Sequence, residues 1–368
     1  MKILEVVCSF APGGIERFVV DLCNEMSLSQ DVTVLTLKDD EVGNNNFYKN
    51  DLKERVKHIC LYWKDGFHFW YFIKIIFIIK RINPDIVHFH GSARNYLILA
   101  NIFLGRKIQF VQTIHNDIYR GYSNQLSKLQ IYLGHILGRL RFVTISSTNY
   151  KQFNEVYPIC KQTMIINGRS NLPRTNNYNE VVFEVNSYKN DADTLVFVHV
   201  ARCAEQKNQM LLINSFNDFV TIYQNAILLI IGAGFDSDLG KDLQKIACPK
   251  IHFIGPKNNI ADYYNNADAF ILTSTYEGMP ITIIEALLCG IPVLSTPVSG
   301  AIDVIENGKN GIISKGYSVE DVVEIMRSFS VNSADFKTKM LRTDKTQQFY
   351  MSVCSQNYLN LFKQLCDE

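Results

Sequence analysis

Apolar and polar positions along this chain follow two periods in turn. Short β-branched runs at residues 3–7, 32–37, 86–90, 108–113 and 142–146 read as strands, and stretches of helical period, such as 15–26, lie between several of them. The pattern then restarts, with strands at 195–200, 226–231, 251–254, 269–274 and 293–296 and a helix over 208–223. Strands that alternate with helices predict β-α-β units and a parallel sheet. Residues 171–192 are rich in Asn, Pro, Tyr, Asp and Glu, lack a clean period, and read as a linker. After Ser333 the sequence turns helical again, and residues 351–365 form a closing amphipathic helix.

The chain has 368 residues, too many for one ordinary core, so the two series predict two doubly wound α/β domains, one over 1–185 and one over 186–349. In open sheets of this kind ligands bind beyond the carboxyl ends of the strands, in a cleft that two such domains would face. Nine cysteines lie singly with no C-x-x-C pair, which predicts idle thiols in a reducing compartment. Glu5 interrupts the N-terminal apolar run, so it reads as a first strand and not a signal peptide. The most apolar stretch, 67–79, is broken by Lys74 and is about half the ~20 residues a membrane helix needs, so a cytoplasmic protein is expected. Charge is uneven. Up to residue 185 there are 22 basic and 16 acidic residues, and beyond it 15 and 20. A basic first half points to an anionic acceptor or a membrane surface. Aromatics at 67, 69–72 and 77 beside Lys74, Lys80 and Arg81 make the 66–81 stretch a candidate for peripheral membrane contact.

The richest chemistry lies at 275–287, Thr-Tyr-Glu-Gly-Met-Pro-Ile-Thr-Ile-Ile-Glu-Ala-Leu. A strand ends near Ser274, and a loop carries Glu277 and Gly278. Pro280 is placed as a first helical residue, where its missing N–H costs nothing. The free N–H groups over Met279, Pro280's neighbour Ile281 and Thr282 would suit a diphosphate. Glu285 sits in the apolar run Ile283–Leu288 and so needs a partner. Arg202 and Lys207 follow the strand at 195–200, where two cations could neutralise a leaving diphosphate. Gly13 and Gly14 follow the first strand, and His115 ends the strand at 108–113. His88 and His90 alternate on one strand with no visible partner cluster, so a structural role is expected, with no metal. Asp191-Ala192-Asp193 has metal-binding spacing but sits before a strand, and is read as chance.

The segment from Glu277 to Glu285 resembles the E-x(7)-E motif of glycosyltransferase family 4, and the likeness continues through Gly290-Ile291-Pro292-Val293, Ser299-Gly300, Ile305-Glu306-Asn307-Gly308 and Asn310-Gly311. The resemblance implies a GT-B fold whose first domain holds the acceptor and whose second holds the donor, with residues 350–368 crossing back to the first. It implies retaining transfer without metal or other cofactor from a nucleotide-diphosphate sugar, UDP favoured, to a glycan or polyprenyl-linked glycan, in surface polysaccharide synthesis and without nucleic acid. It further implies Glu277 at the sugar, Glu285 at the ribose, Arg202 and Lys207 as electrostatic catalysts and Gly13-Gly14 as a phosphate or acceptor loop. His115 would position the sugar or donate to a developing charge. A nucleotide-sugar epimerase and a non-catalytic carbohydrate-binding protein of the same fold are the alternatives.

Overall fold

A computed structural model describes residues 1–38, 45–64, 68–340 and 344–368. The chain divides into two compact units, Met1–Ser170 with Gln348–Glu368, and Asn171–Gln347. The first contains a seven-stranded sheet built from β1 (Lys2–Val7), β2 (Asp31–Lys38), β3 (Lys57–Trp63), β4 (Ile86–His90), β5 (Gln109–Ile114), β6 (Arg141–Thr144) and β7 (Gln162–Met164). The second contains six strands, β8 (Leu195–Val200), β9 (Ala226–Ile231), β10 (Ile251–Gly255), β11 (Ala269–Leu272), β12 (Val293–Ser295) and β13 (Gly311–Ile313). Every strand pairing among the described residues is parallel. The central strands are nearly continuous apolar runs because helices cover both faces; all six residues of β9, Ala-Ile-Leu-Leu-Ile-Ile, are buried.

The strand orders are 3-2-1-4-5-6-7 and 10-9-8-11-12-13. Each order reverses direction once, between β1 and β4 in the first sheet and between β8 and β11 in the second. The loops that leave the carboxyl ends of those strands part there and leave room for a ligand. They carry Gly13 and Gly14 after β1, and Arg202, Lys207 and Glu277 after β8 and β11.

The first unit ends at Ser170, earlier than the boundary expected at 185. The reason is a helix, Tyr178–Tyr188, inside the segment read as linker. It buries Val181 and Val185 in the second unit, where Tyr263 donates to Glu184 Oε2 at 2.7 Å and the Thr175 hydroxyl binds Asp262. The chain re-enters the first unit at Gln348, and the helix Met351–Asp367 packs on the helix Gly14–Met26. The outgoing and returning segments meet at one point. Arg169 N donates to Phe349 O at 2.8 Å and Met351 N to Arg169 O at 2.9 Å. Gly168 permits the approach, because a Cβ there would lie 2.6 Å from that of Cys354.

Candidate functional site

In the second unit the loops after β8 and β11 are bonded to one another. Thr275 N donates to Gln206 O at 2.9 Å, and the Thr273 hydroxyl donates to the carbonyls of Lys207 and Asn208 at 3.2 and 3.1 Å. Asn208 takes the left-handed conformation that ends this turn and caps the helix Gln209–Ile222. These bonds set Lys207 beside Glu277, with Nζ 2.5 Å from Oε1. Glu277 also accepts from the Ser274 hydroxyl at 2.7 Å and from Gln206 Nε2 at 3.4 Å. The carboxylate is 8% exposed, so a cation and two neutral donors compensate most of its lost hydration. Lys207, expected as one of two cations that could neutralise a diphosphate, is thus also half of an ion pair. Arg202 lies in the same loop; its carbonyl accepts from Gln209 Nε2 at 2.9 Å, and its guanidinium has no partner among the described residues.

The helix after this loop runs Ile281–Leu288, one position later than expected, with Pro280 as its cap at φ −63°, ψ 119°. The fixed proline φ is helical, but the extended ψ keeps the residue outside the helix. Gly290, at φ +75°, closes the other end as expected, with Ile291 N returning to Ala286 O. Glu285 is 2% exposed and accepts from the Tyr264 hydroxyl at 3.2 Å, which supplies a partner that its apolar setting demanded. Gly278, Met279 and Pro280 press against Gly300, where a Cβ would lie 2.6 Å from Met279 Cα and 2.7 Å from Gly278 O. The Ser299-Gly300 pair is thus a seat for the loop that precedes the Ile281 helix, with Thr282 in its first turn.

In the first unit Gly13 precedes and Gly14 opens the helix after β1, and His115 follows β5. Around the switch point lies a buried polar cluster that includes both strand histidines. Glu5 of β1, wholly buried, receives His88 Nδ1 at 3.0 Å on one oxygen and His90 Nε2 at 2.9 Å on the other. His88 Nε2 meets the Thr113 hydroxyl at 2.7 Å, and that hydroxyl meets Tyr358 of the returning helix at 3.0 Å. His90 Nδ1 meets His115 Nε2 at 2.9 Å. The partner cluster that the sequence did not reveal is thus supplied from 83 residues upstream. Glu5, His88 and His90 have metal-ligand character, but the atoms that would bind are already bonded to each other at 2.9 to 3.0 Å. Burial acts to raise the Glu5 pKa, yet the charge and hydrogen bonds of His88 and His90 outweigh it and bring it down to about 2. Burial holds His90 down at about 4 and His115 well below the usual imidazole value. Asp191 is occupied in a local turn, accepting from Asn225 Nδ2 and Asp193 N at 2.8 and 2.9 Å.

Gln206, Ser274 and Tyr264 are additions that sequence reading missed, although Gln206 and Ser274 adjoin the motifs. Glu5 was visible only as a charge breaking an apolar strand.

The family profile for "Glycosyltransferase Family 4" matches residues 12–168, and that for "Glycosyl transferases group 1" matches 183–345. An uncharacterized glycosyltransferase of Methanocaldococcus jannaschii is 26% identical over 320 residues, 75% of this chain and 76% of that one. Alpha-monoglucosyldiacylglycerol synthase of Acholeplasma laidlawii is 25% identical over 340 residues, 80% of each. The crystal structure of Anabaena HepE in complex with UDP and glucose aligns with a TM-score of 0.80 at 18% identity, over 99% of this chain and 100% of that one. Two parallel α/β sheets, the E-x(7)-E segment in its expected place and these matches agree: the chain belongs to the group 1, family 4 glycosyltransferases and has the GT-B fold.

Proposed function

We propose that this glycosyltransferase moves a sugar, with retention and without a metal, from a nucleotide-diphosphate donor to a hydroxyl of a glycan or lipid-linked glycan in surface polysaccharide synthesis. The observation that carries the reading is the Lys207–Glu277 pair, bonded into the loop that opens the Ile281–Leu288 helix, with buried Glu285 eight positions on. Glu277 and Glu285 are acceptors suited to sugar and ribose hydroxyls. Arg202, Lys207 and the N–H groups of the helix start supply positive potential for the diphosphate. The bond from the anomeric carbon to the phosphate oxygen breaks while the acceptor oxygen bonds the same face, and the departing phosphate takes the acceptor proton. Gly13 and Gly14 admit the diphosphate or acceptor closely. UDP is favoured as the nucleotide because the structurally similar HepE was solved with UDP and glucose.

Thermal shift against UDP-, GDP- and ADP-sugars, with and without EDTA, tests this. A donor at ~100 times its Kd adds about 2.7 kcal/mol. One nucleotide class should stabilise the protein, EDTA should not change the shift, and Glu285→Ala should abolish it. No shift at millimolar donor favours the carbohydrate-binding alternative, and turnover of donor without any acceptor favours the epimerase.

We also propose a peripheral site of action, on the inner face of the cytoplasmic membrane. None of the described helices is long and apolar enough to cross one. Three neighbouring helices, Phe69–Ile82, Arg94–Leu104 and Gln125–Gly138, leave Trp70, Phe77, Phe103, Leu129 and Ile136 exposed. They contain no Asp or Glu, while Lys74, Lys80, Arg81, Arg94 and Lys128 lie on them and Arg106, Lys107 and Arg139 just beyond. Gly66 and Phe67, part of the stretch singled out in the sequence, lie outside the described residues. Apolar side chains among cations suit an anionic bilayer. Co-sedimentation with phosphatidylglycerol vesicles should exceed that with phosphatidylcholine and fall with salt. Trp70→Ser with Phe103→Ser should reduce it at least tenfold, and equal binding by wild type and variant refutes the proposal.

A further inference from the structure

The hydrogen bonds around Glu5 form one chain with a single consistent direction. Glu5 is a carboxylate and has only acceptors to offer, so both nitrogens that face it, His88 Nδ1 and His90 Nε2, carry protons. A neutral imidazole holds one proton, and His90 has placed its own on Nε2. Its Nδ1 is then a lone pair and can only accept, so the proton in the 2.9 Å contact with His115 belongs to His115 Nε2. That settles His115 in turn. Its Nδ1 is the unprotonated nitrogen; it has no hydrogen-bond partner among the described residues, yet it is not one of their fully buried unpartnered side-chain atoms. The other arm closes without conflict, because the Thr113 hydroxyl can donate to or accept from His88 while its contact with Tyr358 adjusts.

We propose that Glu5 is a positioning residue: through His90 it fixes the His115 imidazole as the Nε2–H tautomer, and so presents Nδ1 to a ligand hydroxyl as a hydrogen-bond acceptor. This reverses one role expected of His115, donation to a developing negative charge. A neutral imidazole with its only N–H turned inward to His90 cannot donate outward. It selects for a hydroxyl with a proton to give. The tautomer is independent of the proposed activity, and only the identity of that hydroxyl as a sugar's rests on it. Burial keeps the His90 and His115 rings neutral at physiological pH, because taking a second proton would charge a ring with almost no access to water.

The test is long-range 1H–15N correlation on the full chain with 15N-labelled histidine at neutral pH. The protonated and bare nitrogens of a neutral imidazole differ widely in shift, and single His→Gln variants assign the rings. The expected wild-type result is His90 and His115 both protonated at Nε2 alone. A His115 protonated at Nδ1, or at both nitrogens, overturns the proposal whatever any variant does. Glu5→Gln then tests the cause. An amide accepts from one imidazole and must donate to the other, so either His88 or His90 gives up the proton facing position 5. His115 must follow His90: both stay on Nε2, or both move to Nδ1. Adding Thr113→Val removes the acceptor for a His88 Nε2–H, which drives the amide donor toward His90 and forces His115 onto Nδ1. A His115 that keeps Nε2–H while His90 moves shows that Glu5 does not control it. A merely structural Glu5 would leave every tautomer where it was.

Discussion

Lys207→Ala is expected to lower kcat by roughly 10²–10³-fold, the usual effect of deleting one group that stabilises developing transition-state charge, while donor affinity measured by thermal shift changes far less. The reason is where charge grows. In the proposed reaction the diphosphate is already anionic in the ground state, and Arg202 and the helix start would share its binding. Only as the anomeric bond breaks does a further negative charge develop on the leaving oxygen, and a cation held beside that loop then gains most. Lys207 is pre-placed by its pair with Glu277 and by the carbonyl contacts to Thr273, so little reorganisation is needed when the charge appears. Its second effect is on Glu277, which keeps Ser274 and Gln206 but loses its counter-ion. A cycle with Glu277→Gln separates the two. If Lys207 acts only by holding Glu277, the double variant is no worse than Glu277→Gln alone. Full kcat in Lys207→Ala would remove it from the catalytic set.

Asp21→Ala should destabilise the first unit by about 3–5 kcal/mol, the cost of breaking a buried ion pair by removing one partner. Asp21 is 1% exposed and binds Arg17, Arg169 and the backbone N–H of Ser170, the last at 3.2 Å. Arg17 has a second carboxylate in Asp51. Arg169 is also the residue whose backbone joins the outgoing and returning segments. Both tryptophans, Trp63 and Trp70, belong to the first unit, so fluorescence reports on it separately. The fluorescence transition should fall by about 10 °C for a unit of this size. A change below ~1 kcal/mol would mean that water or relaxation replaces the carboxylate.

How much of this was legible depended on distance along the chain. The central strands stood out because burial on both faces makes them unbroken apolar runs, as in β8 and β9. Among the edge strands β10 was read at 251–254, but β3, β7 and β13 were not. β3 mixes Lys57, His58 and Tyr62 with its apolar residues because it is half exposed, and β7 and β13 have three residues each. The helix Tyr178–Tyr188 was taken for linker because only Val181 and Val185 on it are buried, too few to print a period. In the second unit, Glu277, Glu285, Arg202 and Lys207 were readable as chemistry because each lies in a short loop or helix start next to a recognisable strand. The Glu5 cluster was not, because its members come from β1, β4, β5 and the last helix. Their meeting is a fact of strand order, and no local spacing encodes it.

The returning helix also sets an order of events during synthesis. Tyr358 and Phe362 lie on the first sheet's buried polar cluster, with the Phe362 ring 5.4 Å from that of His88. Both residues are translated after the entire second unit. A ribosome that has finished β1 to β7 therefore holds an unsealed sheet, and must make all of residues 171–347 before the piece that covers it emerges. The first unit to begin is the last to be completed, and the nascent chain must keep that face from other partners in the interval.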